Sequence, residues 1–414
     1  MMLRATGHDR ADPGGHRVSA APPSVPGMSA RTTTDADITP YTLHIPQPAL
    51  DDLHARLDRA RWPELPAEAG PDHGIPLPYL RELARYWRHD YDWRAQERRI
   101  NAVPQYTTTI DGHTLHFLHV RSPEPDALPL VLTHGWPGSF VEFLDLLGPL
   151  TDPRAHGGAP SDAFHVVVPT PPGFTLSGPT RELGWTVTRV ARAWSVLMRR
   201  LGYDRYVAHG GDFGALVSRE LGLVDPDALA AVHLNQIFSA TATPDTADLS
   251  VETERRSVEK YYRYEYELGG YAAIQGTKPH LIGYGLTDSP VAQLAWIADG
   301  FLDWTGNSGR IEDAVGRDAL LTTVTLYWLT GTAASSARYY KEGTRTWGEP
   351  EPASPVPTAV AVFPHDIALP VRRFAERNHV LVRWTEFDRG GHFAALEEPD
   401  LLLGDLREFF REYR

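Results

Sequence analysis

A carboxylate stands at the centre of a turn built from small residues, GGDFGA at positions 210–215. Residues 206–209 before it have the pattern of a buried strand, and the residues after it have the pattern of a helix. This strand–turn–helix setting is typical of a nucleophile elbow, G-x-Nu-x-G, in which the central residue is most often serine. Here the central residue is Asp212. A carboxylate attacks acyl carbon poorly, but it displaces a leaving group at saturated carbon and becomes an alkyl ester that water can hydrolyse. The alternative is that Asp212 only caps the following helix.

A second turn, HGWPG at residues 134–138, follows an earlier buried strand. The carboxyl ends of parallel strands meet at one edge of a sheet, so we expect this turn to lie beside the elbow. The backbone N–H groups of Trp136 and Phe213 are then the predicted oxyanion hole for ester hydrolysis. The alternative is a plain Gly-Pro turn in which His134 is simply buried.

An acid and a base follow the nucleophile in chain order, as a triad of this kind requires. His392 lies in a glycine-flanked loop after the last predicted strand, and Asp366 follows the preceding strand, 26 residues earlier. We predict that Asp366 orients the imidazole and stabilises its charged form. Three alternatives stay open: His392 is a surface-loop residue, Asp366 caps a helix, or the acid follows an earlier strand near Asn235, where no carboxylate is close in sequence.

Strands alternating with helices must position these residues. The predicted buried strands lie in LPLVLTHG, FHVVVP, RYVAHGG, AAVHLNQ, TAVAVFP and VLVRWTEF, and Asp111-Gly112 predicts a hairpin before them. The pattern indicates an α/β fold with a mostly parallel central sheet covered by helices on both faces. We divide the chain into a flexible tail (1–37), an N-terminal helical region (38–103), the first part of the core (104–236), a helical lid (237–349) and the second part of the core (350–414).

Composition narrows the function classes. The chain has 414 residues, a formal net charge of −13 and no cysteine, which argues against nucleic-acid or anionic-membrane partners and excludes disulfides and a cysteine nucleophile. No apolar run approaches the roughly 18 residues of a transmembrane helix, and no secretory signal is apparent, so a cytoplasmic location is expected. Only three of the 40 basic residues are lysine, which favours a GC-rich bacterial source. The histidines show no metal-ligand spacing, and no metal or organic cofactor is expected.

The motifs in combination resemble the microsomal-type epoxide hydrolases of the α/β-hydrolase fold, over about residues 40–414. They occur in family order: RWPELP, HGWPGSF, GGDFGA, IQGTKP, LTDSPVAQLAWI, SSARYYKE, FPHD and RGGHFAALEEPD. The resemblance implies two lid phenols, Tyr271 and Tyr340, that hydrogen-bond the epoxide oxygen, with Tyr339 as the nearest rival to Tyr340. The family acid is Glu or Asp, which corresponds to Asp366 here. Membrane-bound members carry an N-terminal anchor, and none is expected in this chain.

The resemblance therefore implies an epoxide hydrolase. Asp212 opens the epoxide and forms an ester, water activated by His392 and Asp366 hydrolyses that ester, and the product is a vicinal diol. The expected substrate is a small apolar or aromatic epoxide, in keeping with the lid aromatics Trp296, Phe301, Trp304 and Trp328, although core packing explains these residues equally well. Homo-oligomerisation and a role in detoxification or natural-product biosynthesis both stay open.

Two alternatives use the same fold. A haloalkane dehalogenase also forms an ester on aspartate, but it needs donors for the halide, often an indole directly after the nucleophile, where Phe213 stands. A catalytically inactive binding protein should have lost a member of the triad, whereas Asp212, Asp366 and His392 are all present.

Overall fold

The computed structural model describes residues 37–66, 70–343 and 352–414. The tail expected over residues 1–37 lies almost entirely outside these described residues. The described strands are β1 (Thr39–Tyr41), β2 (Gln105–Ile110), β3 (His113–Val120), β4 (Leu128–Thr133), β5 (Phe164–Pro169), β6 (Tyr206–Gly210), β7 (Leu229–Leu234), β8 (Ser354–Val362) and β9 (His379–Glu386). They form one sheet in the order β1-β2-β3-β5-β4-β6-β7-β8-β9.

The sheet is mostly parallel, as predicted. Strands β5, β4, β6, β7, β8 and β9 run parallel to their neighbours in this order, whereas β1, β2 and β3 pair antiparallel and β3 meets β5 antiparallel. Val166, Val167 and Val168 in β5 are all buried, so both faces of this strand are covered. The hairpin prediction is confirmed: Asp111 and Gly112 join β2 to β3 with φ angles of 53° and 75°, as a type I′ turn requires.

Helices cover both faces of the sheet and bridge its strands. The described α-helices are α1 (Gln47–Asp58), α2 (Leu77–His89), α3 (Trp93–Asn101), α4 (Leu144–Thr151), α5 (Val187–Arg200), α6 (Phe213–Val224), α7 (Glu252–Arg263), α8 (Gly270–Thr277), α9 (Pro279–Asp288), α10 (Pro290–Trp304), α11 (Arg317–Thr330), α12 (Ala333–Gly343), α13 (Arg372–Ala375), α14 (Ala394–Glu397) and α15 (Pro399–Phe410). Helices α7 to α12 lie between β7 and β8, and we call this part of the chain, up to Gly343, the lid.

The N-terminal region is helical, as predicted, with α1, α2 and α3, but it opens with the short strand β1, which pairs with β2 at the edge of the sheet. Its helices then contact the lid. The Trp87 indole N–H on α2 donates to the Thr325 hydroxyl on α11 at 2.9 Å, and the Tyr79 hydroxyl donates to Glu312 at 2.6 Å. The buried stripe of α2 therefore supports the lid as well as the core.

Four loops meet at the carboxyl edge of the sheet. They follow β4, β6, β8 and β9, whose last residues are Thr133, Gly210, Val362 and Glu386. These loops carry the predicted oxyanion, nucleophile, acid and base residues, in that order. Within the described ranges, none of the helices combines the length and the hydropathy that crossing a bilayer requires.

Candidate active site

The turn between β6 and α6 holds Asp212 in a strained conformation, with φ 50° and ψ −129°. Such a positive φ is uncommon for a residue with a side chain, and it clusters at functional sites. The neighbours must be small. A Cβ on Gly214 would lie 1.8 Å from the Thr133 carbonyl oxygen, and one on Gly210 would lie 2.2 Å from the Gly214 carbonyl group. The Asp212 side chain accepts no hydrogen bond from the second or third residue of α6, where capping donors lie, so helix capping does not explain this residue.

The two oxygens of Asp212 have different environments. Oδ1 accepts a hydrogen bond from the backbone N–H of Trp136 at 2.8 Å, and the backbone N–H of Phe213 also bonds the carboxylate. Oδ2 lies 3.6 Å from Nε2 of His392. The structure thus places the predicted oxyanion donor Trp136 at one oxygen of the carboxylate and the predicted base at the other, and the second predicted donor, Phe213, also contacts the carboxylate.

His392 and Asp366 form a buried pair. Nδ1 of His392 lies 2.7 Å from Oδ1 of Asp366, which also accepts hydrogen bonds from the Ile367 backbone N–H and the Gln236 amide. A carboxylate only accepts, so Nδ1 carries the proton and Nε2 is left facing Asp212. Both side chains are buried, which argues against a surface-loop role for His392, whereas the neighbouring His365 is exposed.

Burial and charge shift the acid–base properties of this group. Burial raises the pKa of Asp212, while the His392 charge and the Phe213 and Trp136 amides act against this rise. Burial alone would lower the pKa of His392, but the charge of Asp366 and its hydrogen bond, with the charges of Asp212 and Glu142, raise that pKa to about 9. At neutral pH the imidazole is therefore protonated and paired with two carboxylates.

Tyr271 on α8 and Tyr340 on α12 lie above this edge. Their ring centroids are 5.7 Å apart; the Tyr271 ring stacks on Trp136 at 5.2 Å, and the Tyr340 ring meets Phe213 edge-on at 4.8 Å. Burial raises the pKa of both phenols well above the ordinary value, so both remain proton donors. A π-helical turn, Tyr264–Leu268, precedes α8 and brings the Tyr264 hydroxyl within 3.3 Å of the Tyr271 hydroxyl.

Tyr339 and Tyr340 point to different surroundings. The Tyr340 hydroxyl hydrogen-bonds Tyr271, whereas the Tyr339 hydroxyl is buried with no hydrogen-bond partner among the described residues, and its ring packs on Phe174 and Phe213. The geometry therefore pairs Tyr340, rather than Tyr339, with Tyr271.

The sequence analysis missed Glu142, and it named Trp304 only as a lid aromatic, without predicting its contact with His392. The Glu142 carboxyl accepts the Ser139 backbone N–H at 3.2 Å, and burial raises its pKa to about 8. The Trp304 carbonyl accepts the His392 backbone N–H at 2.8 Å, and its ring lies 5.2 Å from the imidazole. The only sequence signal for Glu142 was its spacing from Ser139, which is that of a capping box.

A small cavity lies beside the Asp212 carboxylate and has about 10 Å³ available to the centre of a water molecule. It is lined by Gly135, Trp136, Glu142, Phe143, His209, Gly211, Asp212, Asn235, His392, Phe393, Ala394 and Ala395. A larger cavity of about 860 Å³ lies between the start of α5 and the lid helices α9 and α12, and it touches none of the predicted catalytic side chains. Of these two cavities, only the small one is lined by predicted catalytic side chains.

The fold and this site define an α/β-hydrolase with aspartate at the nucleophile position. The family model described as "Epoxide hydrolase N terminus" matches residues 38–143, and the one described as "alpha/beta hydrolase fold" matches residues 129–269. A "Putative epoxide hydrolase" of Stigmatella aurantiaca is 46% identical over 380 residues, which cover 91% of this chain and 86% of the relative. The chain belongs to the microsomal-type epoxide hydrolase family.

Other relatives are similar to this protein along nearly its whole length. "Epoxide hydrolase 1" of Sus scrofa is 34% identical over 413 residues, covering 93% of this chain and 91% of that protein. The solved structure of an Aspergillus niger epoxide hydrolase has a TM-score of 0.81 at 34% identity, covering 91% of this chain and 96% of the other. The juvenile hormone epoxide hydrolase of the silkworm Bombyx mori has a TM-score of 0.82 at 28% identity, with coverages of 91% and 95%.

Proposed function

We propose that this protein hydrolyses epoxides to vicinal diols through a covalent ester on Asp212. The observation that supports the proposal most directly is that the two oxygens of this carboxylate have different partners. Oδ1 is held by the Trp136 N–H at 2.8 Å, and Oδ2 faces His392 Nε2 at 3.6 Å. Family membership supports the reaction class, and this geometry supports the route.

In the first step an oxygen of Asp212 attacks an epoxide carbon, and the carbon–oxygen bond of the ring breaks. Negative charge develops on the departing oxygen. Tyr271 and Tyr340 supply O–H donors for it, and one of them transfers its proton. Their high pKa values keep both donors protonated before the reaction.

The second step depends on a change of charge. Once Asp212 is an ester, it no longer carries the negative charge that helps to hold the His392 pKa at about 9. The pKa of His392 then falls, and the imidazolium gives its proton to the lid phenolate left by the first step, so the neutral imidazole is available as a base. Water gives a proton to His392 and attacks Cγ of Asp212, and the Trp136 and Phe213 amides stabilise the oxyanion.

The site walls favour an apolar or aromatic epoxide as the substrate. The rings of Trp136, Tyr271 and Trp304 lie within 6.3 Å of one another, centroid to centroid. Such rings pack on apolar and aromatic groups and provide few polar contacts. The dehalogenase alternative is less well supported, because Phe213 offers no side-chain donor for a halide.

The proposal is tested with a His392→Gln variant and an aromatic terminal epoxide such as styrene oxide. Alkylation should proceed while hydrolysis stalls, because the base is missing. Intact-mass spectrometry should show the protein plus one epoxide, and peptide mapping should place the adduct on Asp212.

The matched control is His365→Gln, which changes the exposed neighbour of Asp366 and should accumulate no adduct. Asp212→Ala should form neither adduct nor diol. Diol formation that survives in Asp212→Ala would contradict the proposed route, as would the absence of an adduct in His392→Gln over a range of epoxides. The same assay with haloalkanes distinguishes the dehalogenase alternative.

A further inference from the structure

A buried hydrogen-bonded chain runs from the small cavity through the sheet to the last helix. Nδ1 of His209 on β6 lies 3.0 Å from Nδ1 of His233 on β7, and Nε2 of His233 lies 2.8 Å from Oδ2 of Asp405 on α15. The other oxygen of Asp405, Oδ1, accepts from Arg383 at 2.8 and 2.6 Å and from the Thr385 hydroxyl at 2.8 Å. His209, His233 and Asp405 are all almost fully buried.

This series of hydrogen bonds indicates which ring nitrogens carry a hydrogen. The pKa of Asp405 is about 2, so it is an ionised carboxylate that can only accept, and Nε2 of His233 must donate to it. With that hydrogen on Nε2, His233 presents the lone pair of Nδ1 to His209, and Nδ1 of His209 then donates. Burial lowers the pKa of His209 well below the ordinary value, so this ring is neutral. Its Nε2 is therefore left with a lone pair, which makes it an acceptor.

The His209 ring lines the same cavity as Asp212 and His392. The available volume is close to the lower bound for a single water molecule, which also needs two to four polar partners. The wall supplies them. The imidazole rings of His209 and His392 both line this space.

We propose that this cavity holds the hydrolytic water and that His209 accepts one of its hydrogens, with His233 and Asp405 as positioning residues that keep His209 in the accepting tautomer. The inference rests on the ester route proposed above and extends it to residues of the sheet interior. His392 accepts the other hydrogen. With both hydrogens directed to acceptors, an oxygen lone pair is left for Cγ of Asp212.

The proton balance closes with these groups. The water oxygen bonds to Cγ, His392 takes one proton, and the Cγ–O bond to the alcohol breaks while His392 returns that proton to the alcohol oxygen. The second hydrogen stays on the re-formed carboxyl of Asp212. That carboxyl then gives it to His392, which restores the imidazolium whose own proton had gone to the lid phenolate after alkylation. His209 holds the water and exchanges no net proton.

Asp405→Asn tests the inference because it keeps the shape and reverses the hydrogen bonds. Three donors from Arg383 and Thr385 hold the amide oxygen in the Oδ1 position, so the amide N–H₂ faces His233 Nε2. His233 must then donate from Nδ1, and His209 must accept there and carry its hydrogen on Nε2. The acceptor at the cavity becomes a donor.

We expect single-turnover experiments with styrene oxide to show an alkylation rate like that of the unsubstituted protein and ester hydrolysis slowed about tenfold, the scale of one lost hydrogen bond. ¹⁵N NMR should show the His209 hydrogen moving from Nδ1 to Nε2. The control is Asp162→Asn, which also breaks a two-point contact with an arginine, Arg411, but has no link to the cavity. It should leave both rates unchanged.

An unchanged hydrolysis rate in Asp405→Asn, with the His209 tautomer reversed, would overturn the inference and leave the ester route intact. Equal slowing in Asp162→Asn would overturn it too, because general destabilisation would then explain the effect. If Asp405→Asn fails to fold, His209→Leu carries the same expectation of slowed hydrolysis. Failure of every variant to form an adduct would instead count against the ester route itself.

Discussion

The sheet edge and the lid hold their reactive groups in different ways. At the sheet edge, Asp212, His392 and Asp366 are fixed by hydrogen bonds of 2.7 and 2.8 Å and by a strained backbone turn. In the lid, Tyr271 and Tyr340 are held mainly by ring contacts of 4.8 to 5.7 Å with Trp136, Phe213 and each other. Hydrogen bonds fix direction as well as distance, whereas ring packing fixes position with more tolerance.

The difference matches the two kinds of chemistry. Attack and proton transfer to a base need directed lone pairs, and small displacements reduce their rates strongly. Two phenols that stabilise a developing charge can share the task. Substitutions at the sheet edge should therefore have larger effects than matched substitutions in the lid.

Asp366→Asn should give the largest effect. The amide cannot hold the imidazole in the tautomer that leaves Nε2 free, and turnover should fall about 10⁴-fold, as is typical when this acid is replaced. Steady-state diol formation measures the loss, and His365→Ala is the control. A loss no larger than that of a single lid phenol would contradict the proposed ranking of the two regions.

The same variant has a pH signature. In the unsubstituted protein the His392 pKa is raised from 6.5 to about 9, so the stability it contributes is complete below pH 6.5 and is lost as pH rises toward 9. Removing the Asp366 charge lowers that pKa and flattens this part of the stability curve. NMR titration of His392 and denaturant unfolding at several pH values measure the change.

Tyr271→Phe and Tyr340→Phe should each slow alkylation by about 10²-fold, because each removes one O–H donor to the epoxide oxygen while the other remains. Ester hydrolysis should change little in either variant. Tyr339→Phe is the matched control, and its alkylation rate should stay at that of the unsubstituted protein. If Tyr339→Phe instead slows alkylation as Tyr340→Phe was expected to, the assignment of the second phenol is wrong.

The smallest expected effect is on stability, and it compares one glycine in the sheet edge with one glycine in the lid. Gly214→Ala would place a Cβ 1.8 Å from the Thr133 carbonyl oxygen, and the free energy of unfolding should fall by about 1–3 kcal/mol. In the lid, Gly276→Ala meets nothing within 4 Å and should change stability by less than about 1 kcal/mol, in the stabilising direction. Urea unfolding measures the stability of both variants. Equal losses of unfolding free energy would contradict the expected difference between the sheet edge and the lid.

The sequence predicted the sheet edge well because its signals are local. Buried runs of valine and leucine, the Asp111-Gly112 turn and small residues around Asp212 each depend on a few neighbouring positions. The chain order of nucleophile, acid and base then placed Asp366 and His392 on adjacent loops.

The lid and the sheet interior were harder to predict. Tyr339 and Tyr340 are adjacent in sequence, and no periodicity decides which one turns toward Tyr271. The contact between His209 and His233 depends on the register of β6 against β7. Their link to Asp405 depends on how α15 packs against that register, and one sequence does not contain this information.

The contacts between the first helices and the lid limit how the protein can be recombined. Trp87, Tyr79 and Tyr86 on α2 donate to Thr325, Glu312 and Asp318, respectively. If the lid were replaced by that of a relative, these hydrogen bonds would be lost unless α2 were replaced together with it. Chimeras that aim to alter substrate choice should therefore transfer the two distant segments as one unit.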